Sequence, residues 1–360
     1  MSDSTPEERE QFFNSINPHL LQVFDENTEE VDEELRFPLQ KEALDFEEGE
    51  HRVHITSEIG RGGMKIIYKC VSDDDDKIVA LATLKEKKKP EAVERFLKEA
   101  KIISSLNHYN IIRLYDYGIS EKYGPYMAMN YVDGPSLAKV IKRLAENDER
   151  YAAYAPKNIR INIFKQVLHA VSCAHEQGIV HLDLKPENVL LHSDDRIYLC
   201  DWGLAKILPK HQSSDELLCS LATLSETGII KGSPGYMAPE QISGDENSIL
   251  SDIYQLGAML FALIYLRPPV EGDTHTEIFE KTLNGELNLP QEECEILKIA
   301  SKALKKSPLE RYASVDEMLQ DVNNLQFSQT KKDSSALIIK ALYAIIFVLV
   351  TIILVRLLLY

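Results

Sequence analysis

The most constraining feature of this chain is one stretch, His181-Leu182-Asp183-Leu184-Lys185-Pro186-Glu187-Asn188-Val189-Leu190-Leu191. It sets a carboxylate, an ammonium and a carboxamide at positions 183, 185 and 188, and closes on an apolar, strand-like triplet. A carboxylate can accept a proton, an ammonium can meet negative charge, and an amide oxygen can help to hold a hard metal ion. An ordinary polar loop before a strand would have to produce this order by chance. Any fold proposed for the chain has to bring these three groups to one place.

The surrounding pattern changes character twice. From Val53 it reads as short strands, Ile55–Ile59, Ile66–Val71 and Ile78–Leu84, with Gly or Asp turns between them. The acidic run Asp73–Asp76 is the turn of the second hairpin. Pro90–Leu106 has helical spacing through Val93, Phe96, Leu97, Ala100 and Ile103, and strands are expected again at Ile111–Tyr117 and Tyr126–Tyr131. Asp133-Gly134-Pro135 breaks the chain. Beyond it the periodicity is helical: Lys157–Gln177, ending at Gly178, then Leu250–Tyr265, apolar nearly all round, then Glu277–Leu283, Glu292–Leu304 and Val315–Leu325. Strands followed by helices predict an α+β architecture of two lobes, five strands in the first, with a cleft between them.

Charge and composition narrow the classes further. The net charge of −17 argues against a nucleic-acid binder, which needs a basic face. Residues 1–50 carry 16 Asp and Glu against 3 Lys and Arg, so they supply most of that charge. An acidic, largely disordered arm is expected there, apart from an apolar patch around Phe12, Phe13, Ile16, Leu20, Leu21, Val23 and Phe24 that could form one docking helix. The five cysteines are scattered without CxxC pairs, which fits a reducing compartment. Met1–Glu10 is polar and acidic, unlike a signal peptide. At the other end, residues 336–360 are apolar except for Lys340 and Arg356. As a helix, Leu337–Leu359 would span about 35 Å, enough for a bilayer. Lys331, Lys332 and Lys340 precede most of this segment and Arg356 lies near its end, so the bias of positive charge toward the cytosol would keep the preceding lobes cytoplasmic. With no residue after Tyr360, a single-pass tail anchor is expected.

Two further motifs lie downstream of the opening stretch: Asp201-Trp202-Gly203, and Gly232-Ser233-Pro234-Gly235-Tyr236-Met237-Ala238-Pro239-Glu240. Together with His181–Leu191 they resemble, in order and spacing, the catalytic loop, the metal-binding DFG and the substrate-facing segment of eukaryotic-type protein kinases. The resemblance covers about residues 53–327. It implies a protein-kinase-like fold with a five-stranded N-lobe and a helical C-lobe. The implied division is an arm over 1–50, a kinase domain over 51–327, a linker over 328–335 and a transmembrane helix over 336–360.

The resemblance also implies roles. Asp183 would be the catalytic base and Lys185 would meet the transferring phosphoryl, a form of the loop associated with serine and threonine substrates. Asn188 and Asp201 would hold Mg²⁺. Gly60, Gly62 and Gly63 open the glycine-rich loop over the ATP phosphates. Ile59, Ile67 and Ala80 would line the adenine site, Met129 would be its gatekeeper, and Asn130 and Val132 would belong to the hinge. Glu99 falls at the family's ion-pairing glutamate on the helix Pro90–Leu106. Asp252 matches the buried carboxylate that props the catalytic loop, and Glu240 and Arg311 match a buried ion pair. ATP and protein substrates are the implied partners, with a lipid bilayer at the C-terminal helix and no nucleic acid.

Three departures from the family pattern carry information. Leu182 stands where most of these kinases have the arginine that pairs with a phosphate on the activation segment, so phosphorylation of Ser213, Ser214, Ser220, Thr223, Ser225 or Thr227 is less expected to be the switch. The third-strand lysine is missing, because aligning Val79-Ala80-Leu81-Ala82 with the family motif puts Ala82 there. The last glycine of the glycine-rich loop is Lys65. The last two together resemble the with-no-lysine kinases. Strand alternation agrees, since Lys65 and Ile67 share one face. Lys85, three residues from Ala82, projects to the other face and reads with Lys87–Lys89 as solvated.

Two functions compete. One is a membrane-anchored serine/threonine kinase; the other is a pseudokinase scaffold that binds nucleotide or partners without phosphotransfer. A small-molecule phosphotransferase is disfavoured by the segment Gly232–Glu240, which the resemblance assigns to peptide substrates.

Overall fold

The hairpin-forming stretch folds as one sheet. In a computed structural model, which describes residues 53–72, 77–86, 89–120, 123–208, 233–292 and 294–325, the strands β1 (Val53–Arg61), β2 (Lys65–Ser72), β3 (Ile78–Leu84), β4 (Leu114–Ser120) and β5 (Gly124–Asn130) form one antiparallel sheet in the order β1-β2-β3-β5-β4. Val79 and Leu81 alternate onto one face and build a small core with Cys70, Tyr126 and Ala128. Ala80, Ala82 and Leu84 turn to the other face, where helix α1 (Pro90–Ser105) and the second lobe lie. Pro90 at the first turn starts α1, and Val93, Phe96, Ala100 and Ile103 form its buried stripe. Glu99 sits within that stripe.

The expected strand Ile111–Tyr117 is displaced. Ile111 and Ile112 do not enter the sheet. Ile112 N–H donates to the Leu199 carbonyl at 3.0 Å, and Leu199 N–H donates to the Asn110 carbonyl at 2.8 Å. Their apolar side chains are buried at the junction of the lobes, so the pairing partner is β8 (Ile197–Leu199) and β4 starts only at Leu114.

Beyond β5 the chain turns at Gly134, where a β-carbon would lie 1.8 Å from the Leu191 carbonyl oxygen, an approach that only glycine permits. Two helices follow, α2 (Leu137–Ala145) and α3 (Lys157–Glu176). Helix α2 had no counterpart in the sequence reading; Ser136 caps it by accepting the Lys139 N–H. Four short strands come next: β6 (Ile179–Val180) paired with β9 (Lys206–Ile207), and β7 (Val189–Leu191) paired with β8. Then come α4 (Pro239–Ser243), α5 (Ile249–Tyr265), α6 (His275–Asn284), α7 (Glu295–Ala303) and α8 (Val315–Asn323). Helix α5 is buried continuously from Ser251 to Ile264. At Gly257 a β-carbon would meet the Ala303 β-carbon at 2.6 Å, so the glycine sets how closely α7 packs.

The acidic arm over 1–50, the linker 328–335, the apolar segment 336–360, the turn Asp73–Asp76 and the sites Ser213 to Thr227 lie outside the described residues. Among the described residues no helix is long and apolar enough to cross a membrane.

One buried ion pair ties α4 to the end of the second lobe. Arg311 donates through Nη1 to Glu240 Oε1 at 2.7 Å and through Nη2 to Oε2 at 2.8 Å. It also donates to the carbonyls of Leu250, Lys305 and Lys306, and Ser251 Oγ donates to Glu240 Oε1. Removing one partner of such a pair leaves the other charge buried. Arg311→Met is therefore expected to destabilise the protein by roughly 3–5 kcal/mol, and adding Glu240→Gln to it should recover part of the loss. Denaturant unfolding of wild type and both variants checks this; a loss below about 1 kcal/mol for Arg311→Met would contradict the assignment.

Candidate active site

The loop that carries Asp183, Lys185 and Asn188 is held by its backbone. Asp252, wholly buried on α5, accepts the N–H of His181 through Oδ2 at 2.8 Å and the N–H of Leu182 through Oδ1 at 2.8 Å. His175 Nε2 lies 2.8 Å from the same Oδ2. Leu182 has φ of 63°, a left-handed conformation that its β-carbon disfavours. Its carbonyl accepts Nε2 of Gln241 at 2.9 Å and Nε2 of Gln255 at 3.0 Å.

Asp183 follows directly, nearly buried. Its Oδ2 accepts Lys185 Nζ at 2.8 Å and Asn188 Nδ2 at 3.2 Å, and its carbonyl accepts Asn188 Nδ2 at 2.8 Å. Asp183, Lys185 and Asn188 thus converge on one carboxylate, as their spacing suggests. The His181 ring accepts Asp183 N–H at Nδ1 and lies 3.3 Å from the Cys200 carbonyl at Nε2, so the network calls for the neutral Nε2–H tautomer. Burial pushes the His181 imidazole below its usual value, which agrees.

The second half of the site is a three-way ion cluster. Lys65 Nζ lies 2.6 Å from both oxygens of Glu99 and 3.0 Å from Asp201 Oδ1. Burial alone would lower the Lys65 ammonium, but the Glu99 and Asp201 carboxylates outweigh it and hold the pKa well above the usual lysine value. Burial pushes the Asp201 carboxyl up, and Lys65, with His181 and Lys185 farther off, reverses this and leaves it below the usual range. The backbone N–H of Trp202 also donates to the Glu99 carboxylate. The Trp202 ring is fully buried against His181, with ring centroids 4.5 Å apart. Asp201 itself has φ of 61°, in the left-handed region like Leu182.

The register explains how Lys65 gets there. Lys65 pairs with Leu84 and Ile67 pairs with Ala82, so Lys65 and Ala82 are diagonal neighbours on one face of the sheet. Lys85 is exposed beyond the end of β3. In the β1–β2 turn Gly62 N–H donates to the Lys65 carbonyl, and at Gly63 a β-carbon would meet nothing within 4 Å.

The remaining residues are placed less tightly. Gly60 pairs with Ile67, and Ala80 pairs with Met129. Ile59 lies in the β-bulge of β1 and is 45% exposed, so alternation does not aim it at Ile67. Asn130 spends its N–H and its Oδ1 on the backbone of Arg113, which leaves a hinge role to its carbonyl; Val132 follows, half-buried. Gln241, Gln255 and His175 were not read from the sequence. The available signal was Asp252 and Gln255 three residues apart in a helix otherwise almost wholly apolar, which sets both on one helix face.

The donor set suits Mg²⁺, since Asn188 and Asp201 offer hard oxygen ligands and few of them, leaving room for phosphate oxygens. Lys65 carries a cation into the same cleft, and the turn Gly62-Gly63 offers backbone without side chains. Bound there, Mg²⁺ and ATP would supply the transferable phosphoryl and neutralise its charge.

Comparison with known proteins identifies the family. The chain is 34% identical over 283 residues to a probable serine/threonine-protein kinase PknB of Lactococcus lactis, covering 75% of this chain and 41% of that protein. It is 32% identical over 281 residues to the serine/threonine-protein kinase PrkC of Bacillus subtilis, covering 75% and 40%. It is 30% identical over 298 residues to the serine/threonine-protein kinase pkn3 of Myxococcus xanthus, covering 79% and 52%. The chain therefore spans about half or less of these relatives' lengths. The model of the protein kinase domain, a family that uses ATP and Mg²⁺, matches residues 53–327, and the chain belongs to that family.

Proposed function

We propose that this chain is a serine/threonine protein kinase that transfers the γ-phosphate of ATP to protein hydroxyls, with Lys65 in place of the third-strand lysine. The observation that carries the reading is the Lys65 ammonium held 2.6 Å from Glu99 and 3.0 Å from Asp201, beside an alanine at position 82. Loss of the usual lysine is the main argument for a pseudokinase scaffold, and a cation on the same face of the sheet answers it. In this reading Asp183 takes the proton of the substrate hydroxyl. Lys185 screens the charge on the transferring group, and Lys65 fixes the nucleotide phosphates while holding α1 through Glu99. The three relatives compared above are all named serine/threonine-protein kinases, which supports the substrate class.

The same reading keeps the protein at a membrane. Residues 336–360 are long and apolar enough to span a bilayer, and Lys331, Lys332 and Lys340 favour a cytoplasmic kinase domain. Full-length protein is expected in the membrane fraction and to need detergent for release; recovery in the soluble fraction without detergent would rule the anchor out.

Lys65→Met should lose phosphotransfer by a factor on the order of a hundred or more, as when a charge contact to the transition state is deleted, while Lys85→Met changes little. Lys65→Gly combined with Ala82→Lys should recover part of the activity, because the two positions are diagonal neighbours on one face. The check is phosphate incorporation into a protein substrate with ATP and Mg²⁺, run side by side. Equal rates for wild type and Lys65→Met would refute the lysine placement, and no transfer by any of the proteins would leave the scaffold.

Asp183→Asn should abolish transfer with the fold intact, since it removes the base at constant volume. Turnover within a fewfold of wild type, in a variant with an unchanged melting curve, would refute Asp183 as the base.

A further inference from the structure

A single side chain engages the backbone on both sides of Asp183. Gln255, 1% exposed on α5, accepts the Leu184 N–H through Oε1 at 2.8 Å and donates through Nε2 to the Leu182 carbonyl at 3.0 Å. Its Nε2 also donates to Gln241 Oε1 at 2.9 Å, and Gln241 in turn donates to the Leu182 carbonyl and accepts the Ala238 N–H. Both hydrogen-bonding atoms of Gln255 are therefore used, and its partners lie one residue before and one residue after the base.

The chemistry of this contact is selective. Bridging a carbonyl and an N–H requires a donor and an acceptor on one rigid planar group, which a carboxamide supplies. A carboxylate lacks the donor, and an aliphatic side chain lacks both. Leu182 lies in the left-handed region, where its peptide planes are held only if the surroundings over-determine them. Asp252 holds its N–H, and the two glutamines hold its carbonyl. The residue at 182 is a leucine, so no charged side chain at that position can anchor the loop.

We infer that Gln255 is a positioning residue for catalysis: its amide clasps the peptide groups flanking Asp183 and sets the direction of the catalytic carboxylate. The inference rests on the reading of Asp183 as the base. Such a residue acts through the base and touches neither nucleotide nor protein substrate, so its loss should lower turnover and spare binding.

The test uses the full-length chain and the near-isosteric Gln255→Met, with steady-state kinetics and amide hydrogen exchange resolved to single residues. Turnover is expected to fall by about tenfold to a hundredfold, the scale of a misplacement near 1 Å, with KM for ATP and for peptide changed by less than about threefold. Exchange of the Leu184 amide should accelerate by at least about tenfold while the amides in the middle of α5 stay protected. Turnover within about twofold of wild type, or faster exchange spread evenly over α5, would overturn the clasp and reduce Gln255 to an ordinary packing residue. If wild type itself transfers no phosphate, the kinase reading fails, and the exchange at Leu184 alone decides the clasp. Should Gln255→Met not fold, the wild-type amides decide: Leu184, outside any helix or strand, must exchange more slowly than the exposed Ser193 turn by orders of magnitude, and equal rates overturn the inference.

Discussion

One ammonium group joins three parts of this molecule. Lys65 comes from β2, Glu99 from α1 and Asp201 from the segment after β8, and the lysine bonds both carboxylates at 2.6–3.0 Å. Gathering one part-buried cation with a buried Glu99 and a half-exposed Asp201 costs desolvation that Coulomb attraction offsets only when geometry is good and the remaining lone pairs are met. Here the backbone N–H of Trp202 meets one of them. The consequence is positional. α1 cannot rotate outward, and Asp201 cannot turn away, without breaking the same cluster, so the sheet, the helix and the segment after β8 share one geometry.

The second lobe answers with polar groups where its core is otherwise apolar. Helix α5 carries Ser251, Asp252 and Gln255 in a run of buried residues, and each has its hydrogen-bond partners. Ser251 turns to the Glu240–Arg311 pair and the other two turn to the catalytic loop. A satisfied buried network of this kind rigidifies what it touches. It touches Leu182, whose left-handed backbone costs of order 1–3 kcal/mol, and through it the carboxylate of Asp183. Stability of the lobe and readiness of the site therefore come from the same few side chains.

Legibility in the sequence followed the range of the forces involved. β3 has the bounds that its apolar run suggested, and the bounds of α1 and α3 lie within a residue of their periodic stretches, because Pro90 opens the first and Gly178 follows the second. Ile111 and Ile112 read as strand and are extended, yet they bond to Leu199 rather than to β5, and no local signal distinguishes the two partners. The ladders β6–β9 and β7–β8 have two or three residues per strand, too short for a period to show, and exist only as pairings. At the site, Asp183, Lys185 and Asn188 lie within six residues, so their convergence was visible. Gln255 was hidden because a polar residue in an apolar helix has no local mark of what it will bond.

The sequence by itself determined the cast and its faces: that position 82 is an alanine, that position 65 is a lysine, and which face of the sheet that lysine occupies. Those follow from residue identity and from the two-residue alternation of a strand, which need no distant contact. The tertiary structure decided who meets whom. Lys65 reaches Glu99 across 34 residues and Asp201 across 136, and Gln255 reaches Leu182 across 73. Contacts at such separations depend on how lobes and helices pack, where loop closure and burial act together, and no window of sequence contains both partners.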